Sequence, residues 1–301
     1  MLAFRPVGSP RERRDTGRFL LTAAAIVAAA ALLPRDVGAE PGTAVGSVSC
    51  GSVNRGALAS ARAIADEGPG FVAPEPWRSR GLRFGTDELV GLVERAARAV
   101  VKRHPGAELA VADLSAERGG PVARHRSHQS GRDVDLVYYA IDRTGDAMAP
   151  DGHMALYGMD GRATSAASPE PVASIDERFF DLARNWALIQ ALATDPDVRV
   201  DRIFVSRRIR DWLLAYSAAA GVSEPIRARV RSVLSTPVGV EAHDDHMHVR
   251  IGCSAEDTAA GACSDEPARR SRRGKWRSPV PCGPTQVAGR LGSTARPAAG
   301  R

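Results

Sequence analysis

No Cys-x-x-Cys pair occurs among the four cysteines, Cys50, Cys253, Cys263 and Cys282, which argues against a cysteine-ligated zinc site. No internal repeat is present. The longest apolar run, Phe19 to Leu33, has fifteen residues and falls short of the ~20 that a spanning helix needs. Ser206 follows an apolar stretch but lacks a Gly-x-Ser-x-Gly elbow, so it is discounted as a nucleophile. Aromatic residues make up only 5%, beside 44% hydrophobic and 25% charged. Those proportions are globular and exclude wholesale disorder, collagen-like repeats and a polytopic membrane protein.

The overall charge of +6 is unevenly spread. Residues 1–39 carry +3, and residues 269–301 hold nine basic residues without a single acid. With those ends removed, the body 40–267 stands at −6. An acidic body does not offer the cationic folded face that a duplex requires, so no nucleic-acid partner is expected.

Residues 1–39 read as a signal peptide. Arg5, Arg11, Arg13, Arg14 and Arg18 precede the apolar run, and Pro34 and the small-residue site Val37-Gly38-Ala39 follow it. Export leaves no membrane span in the mature chain and places it in the periplasm. The four cysteines all lie in the mature part, an even number that suits an oxidising compartment. They allow three pairings, of which local closure of Cys253 with Cys263 plus Cys50 with Cys282 is favoured.

Along the mature chain, Gly51 to Arg80 reads as a Gly- and Pro-rich strap with a short helix at Ala57 to Ile64. Thr86 caps a helix whose apolar positions Leu89, Leu92, Val93, Ala96, Ala97, Val100 and Val101 recur at helical spacing, and Pro105-Gly106 ends it. Leu109 to Leu114, Val134 to Ile141, Val198 to Val205 and His246 to Ile251 are strand-like. Helices are expected over Asp176 to Ala193, Ile209 to Ala219 and Pro225 to Leu234. The fold class is therefore α+β, a small mostly antiparallel sheet flanked by helices in one domain over 40–266. Residues 267–301 form a basic, Pro- and Gly-rich tail held in part by Cys282.

Five of the seven histidines fall in two short segments, His125-Arg-Ser-His128 and His243-Asp-Asp-His246-Met-His248. The first runs on through Gly131 to Asp135, which opens an apolar strand. Side chains alternate along a strand, so Asp133 and Asp135 share one face and Val134 and Leu136 the other. By the same rule His246, His248 and Arg250 share a face, while Met247, Val249 and Ile251 enter the core. Two imidazoles thus reach one point, where one can hold a metal and its neighbour can act on the attacking water. Imidazole and carboxylate donors suit Zn²⁺, and three protein ligands leave a fourth position open for hydrolytic chemistry. Asp133 and Asp245 are expected to be solvated or bonded to backbone, His104 and His153 to lie at the surface, and Trp186 to pack in the core.

The pattern His128-x-x-Gly131-x-x-x-Asp135 with a distant His246-x-His248 resembles the LAS metallopeptidases, the group of lysostaphin-type and D-Ala-D-Ala enzymes. The strings Ser127 to Leu136, Arg184 to Leu188, Ile203 to Ser206 and His243 to Arg250 more specifically resemble the penicillin-insensitive murein endopeptidases, across roughly Cys50 to Cys263. That resemblance implies zinc ligands at His128, Asp135 and His248, a catalytic base at His246, and further active-site histidines at His125 and His243. It also implies a LAS-like fold and cleavage of D-alanyl to meso-diaminopimelate cross-bridges in peptidoglycan. Such a reaction needs no serine for β-lactams to acylate. A zinc D,D-carboxypeptidase and a noncatalytic cell-wall module are the alternatives.

Overall fold

The computed structural model describes residues 46–166, 175–237, 243–268 and Cys282. The leader expected at 1–39 and all of the tail beyond Ala268 except Cys282 lie outside the described residues. Met1–Thr43 and Ala44–Arg301 form separate units, and the fold below is that of the second.

Strands β1 (Val48–Ser52) and β2 (Arg55–Ala59) form an antiparallel hairpin. This corrects the helix expected at Ala57 to Ile64. The alanines favour helix, but Gly56 and Leu58 are buried alternately with half-buried neighbours, a period of two. A Cβ at Gly56 would lie 2.5 Å from the Ser52 carbonyl oxygen, so only glycine permits the close approach of β1. The rest of the strap is a chain of two-residue strand pairings, with one helical turn at Glu75–Arg78.

Helix α1 (Asp87–Arg103) starts as expected: the Thr86 hydroxyl accepts from the Leu89 amide at 3.2 Å. It ends at His104, ahead of Pro105. Strand β3 (Asp133–Val137) follows a long loop. Helix α2 (Leu182–Ala193) is shorter than the span from Asp176 that was expected, because Asp181 caps it and Phe179–Phe180 pairs with Ala140–Ile141 instead. Next come β4 (Val200–Phe204), α3 (Arg207–Ala219), α4 (Glu224–Val233), β5 (Leu234–Ser235) and β6 (His246–Ile251). Ser206 is the N-cap of α3, its hydroxyl accepting from the Ile209 amide, which gives it a structural task.

The central sheet runs β5-β4-β6-β3, parallel between β4 and β5 and antiparallel elsewhere. The molecule is thus mixed α and β with small sheets and several helices. Met247, Val249 and Ile251 of β6 and Val134 and Leu136 of β3 turn to one side, where Leu89, Leu92, Val93, Leu188, Ile189 and Leu192 cover them. Burying each such side chain contributes about 1.5–3 kcal/mol, which fixes the register because a one-residue slip would expose the whole row. The opposite side of the sheet is thereby committed to the polar residues of the same strands. Cys50–Cys282 and Cys253–Cys263 are both closed. Trp186 is buried, its indole donating to Gln190.

Candidate metal centre

Register alone assembles half of the site. On β6 and β3, His248 lies opposite Asp135, Arg250 opposite Asp133 and His246 opposite Val137. Facing residues of an antiparallel pair share a side of the sheet, so two carboxylates, two imidazoles and a guanidinium meet there.

The loop before β3 delivers the rest. His128 is fully buried with φ +64°, in the left-handed region that few residues other than glycine occupy. Its amide donates to Asp133 Oδ2 at 3.1 Å, and its ring Nδ1 lies 2.8 Å from the Leu114 carbonyl. Gly131, at φ +73°, makes the bend; a Cβ there would stand 2.7 Å from the Leu58 side chain. Its carbonyl accepts from the Thr86 amide at 2.9 Å, which ties the loop to the start of α1.

These hydrogen bonds set the tautomers. A ring nitrogen facing a carbonyl must donate, so His128 keeps its lone pair on Nε2. His248 Nε2 lies 2.8 Å from Asp133 Oδ1 and donates to it, leaving the lone pair on Nδ1. Both lone pairs then point to one place: His128 Nε2 and His248 Nδ1 are 3.4 Å apart, and they lie 3.4 and 3.3 Å from Asp135 Oδ1. That Oδ1 is buried and has no hydrogen-bond partner. A tetrahedral zinc ion with bonds of about 2.0–2.1 Å separates its ligands by about 3.4 Å, so the orphaned oxygen and the two nitrogens have the spacing of one face of such a site. The donor set therefore fits a divalent ion.

His246 and His125 flank this triangle. His246 Nε2 lies 3.6 Å from Asp135 Oδ1, and its Nδ1 is 2.7 Å from Asp245 Oδ1. His125 Nδ1 is 3.6 Å from Asp135 Oδ2, and its Nε2 is 2.9 Å from Asp113 Oδ2, which also accepts from Arg80. His125, His128 and Asp135 form an overlapping group whose ligand atoms all lie within 4.8 Å of one another. Its spacing is looser than that of the triangle with His248, and His125 faces the other carboxylate oxygen of Asp135. His243, at φ +49°, stands at the rim with its ring centroid 5.0 Å from that of His246, and its carbonyl accepts from Tyr138 and from the Ser206 amide.

Electrostatics bind the cluster together. Burial would push the Asp133 carboxyl up, but the Arg250 guanidinium and the His248 ring outweigh it and hold it well below the usual range. Burial works equally against Asp135, and His128 and His246 override it in the same direction. Burial depresses His248, yet Asp133 and Asp135 raise it above the ordinary histidine value. Asp245 is held low against its own burial by His246.

Asp133 is bonded to backbone, as one of the two expected alternatives has it: it accepts from the His128 amide, and at 0% exposure it also accepts from the His248 ring and Arg250 Nε. Asp245, with its side chain 18% exposed, pairs with the His246 ring. Those ring and guanidinium partners are what the expectation lacked. Asp113, the Leu114 carbonyl and Arg80 gave no sequence signal, because each reaches the site only through long-range packing. His153 pairs with Asp151 and His104 caps α1, both away from the cluster.

Comparison with known proteins fits this geometry. The family model described as penicillin-insensitive murein endopeptidase matches residues 49–275. The chain is 29% identical over 189 residues to the penicillin-insensitive murein endopeptidases of Escherichia coli O1:K1 / APEC and Escherichia coli strain SMS-3-5 / SECEC. The aligned part covers 61% of this chain and 58% of each relative, so the chain spans a little over half the length of the curated relatives it matches.

Proposed function

Because the chain belongs to the penicillin-insensitive murein endopeptidase family, we propose that it is a zinc endopeptidase that cleaves D-alanyl to meso-diaminopimelyl cross-links of peptidoglycan in the periplasm. The observation that carries this reading is the triangle of His128 Nε2, Asp135 Oδ1 and His248 Nδ1, two lone pairs and an orphaned buried oxygen spaced for one tetrahedral ion. The two closed disulfides suit an oxidising compartment, and among the described residues no helix is long and apolar enough to cross a membrane. A LAS-like arrangement, with the ligands on one face of a small sheet, belongs to the same reading.

His128, Asp135 and His248 hold the ion. When bound, zinc lowers the pKa of water and polarises the scissile carbonyl. His246 is the base: Asp245 takes its Nδ1 proton in a hydrogen bond and leaves Nε2 turned to the centre, placed to accept a proton and return it to the leaving amine. Asp113 orients His125 in the same way. His125 and His243, which flank the cluster, orient the ligands or, when the nitrogen turned to the substrate carries a proton, stabilise charge on its carbonyl oxygen. Asp133 fixes the ring of His248 and the backbone of His128, so both nitrogens present lone pairs without rearrangement.

His246→Ala is expected to retain zinc and to lose hydrolysis of cross-linked muropeptide dimers by about 10²-fold or more, the size of a general-base contribution. Unchanged hydrolysis in that variant contradicts the assignment. Product masses from the same dimers separate the reaction classes, since an endopeptidase yields monomers and a carboxypeptidase leaves the cross-link intact.

A further inference from the structure

Arg132 lies inside the metal loop, between His128 and Asp135, yet its side chain turns away from the site. It is 1% exposed. Its guanidinium donates to the Ile251 carbonyl at 3.3 Å, to Asp265 Oδ1 at 3.0 Å and to the Ser264 carbonyl at 2.8 Å. Two of those acceptors belong to residues 264–265, just past the loop that Cys253–Cys263 closes over ten residues. The same loop is held at its other end, where the Cys253 amide donates to Asp265 Oδ1 at 2.7 Å. Arg199 pairs with the second oxygen of Asp265. The Ser264 amide donates to the Gly51 carbonyl at 2.8 Å, which ties the segment to β1.

We propose that Arg132 is a positioning residue through which the disulfide-closed loop 253–263 holds the metal loop in its binding geometry. The route is short. Arg132 is bonded to Asp133, whose carboxylate fixes both the His128 amide and the His248 ring. A buried guanidinium needs its acceptors. When the loop 253–263 is open, Ser264 and Asp265 lose their fixed place, Arg132 must move to find water or other partners, and Asp133 moves with it. Cys50–Cys282 anchors β1, which packs on Ala262 and bonds the loop end through Gly51, but neither sulfur has a hydrogen bond to Arg132 among the described residues. The two disulfides are therefore predicted to differ in kind: Cys253–Cys263 sets metal affinity, and Cys50–Cys282 sets stability.

This inference rests on the zinc-hydrolase reading, and the test separates the two. Zinc dissociation constants of the full chain are measured by competition with a chromogenic chelator, with the visible spectrum of the Co²⁺-loaded protein as a second readout, at temperatures where circular dichroism shows the fold intact. Asp265→Asn and the double variant C253A/C263A are expected to bind zinc at least tenfold more weakly and to alter the Co²⁺ bands. C50A/C282A is expected to melt earlier with zinc affinity within twofold of the parent. Arg132→Lys keeps the buried charge without the three-acceptor reach and is expected to lose three- to tenfold, which decides the matter if the other loop variants do not fold. Parental zinc affinity and spectrum in Asp265→Asn or Arg132→Lys overturn the proposal, as does an equal loss of affinity in C50A/C282A. A parent chain that binds no zinc overturns the hydrolase reading itself.

Discussion

The two halves of the candidate metal centre are built by different physics. On β6 the alternation of a strand presents His246, His248 and Arg250 together, and burial of Met247, Val249 and Ile251 beneath them locks the register. On the loop before β3, by contrast, His128 is held by a left-handed backbone, a carbonyl fourteen residues upstream and a glycine bend against Leu58 and Thr86. The strand half is secured by hydrophobic packing that would exist without any ion. The loop half depends on polar contacts and strain, and it is the half that a small change can loosen.

That contrast sets the order of expected effects. His248→Ala removes a donor that packing cannot replace and is expected to abolish stoichiometric zinc binding, as read by metal analysis after dialysis. His125→Ala, which leaves the triangle intact, is expected to keep zinc; a loss equal to that of His248→Ala points instead to the overlapping group of His125, His128 and Asp135. Next in size is Asp133→Asn, which supports both halves at once, with an expected loss of about 10- to 100-fold in zinc affinity.

The same substitution has a signature in acid. The folded-state pKa of Asp133 is depressed, so its contribution to stability is present above the ordinary carboxylate value of about 4 and fades as pH falls through that value toward the folded one. Asp133→Asn is expected to flatten the loss of the urea midpoint below about pH 4. A wild-type slope in the variant shows that Asp133 is not the source. His248 has the opposite sign: because Asp133 and Asp135 raise its pKa, protons compete with the ion from a pH above the ordinary histidine value downward, so zinc affinity is expected to weaken as pH falls into that range.

Smallest is the loop bend. Gly131→Ala puts a Cβ at φ +73° and 2.7 Å from Leu58, with an expected stability loss of about 1–3 kcal/mol and a softer zinc site. Ser130→Ala beside it requires no such conformation and serves as the neutral comparison in thermal melts.

How much of this was legible in the sequence follows the same division. The strand His246–Ile251, the Thr86-capped helix and the Cys253–Cys263 closure are where the residues implied, because period-two alternation, a cap before an apolar stripe and a ten-residue cysteine spacing are local signals; Cys50–Cys282, 232 residues apart, is the pair those two cysteines leave. The helix expected over Ala57 to Ile64 fails because alanine propensity is weak against a partner strand that needs Gly56 to have no side chain. Asp133 takes the backbone alternative expected of it, at the His128 amide, but a carboxylate in isolation does not announce its other partners; only the fold brings Arg250 and His248 to it. Leu114 supplies a carbonyl and Arg132 reaches a loop more than a hundred residues away, and neither leaves a trace in its neighbours.

The most direct test is a crystal structure of the zinc-loaded protein with diffraction recorded on both sides of the zinc absorption edge. A single anomalous peak is expected about 2.0–2.2 Å from His128 Nε2, Asp135 Oδ1 and His248 Nδ1, with His246 near the open position. A peak that leaves His248 outside coordination distance, or no peak at the cluster, contradicts it.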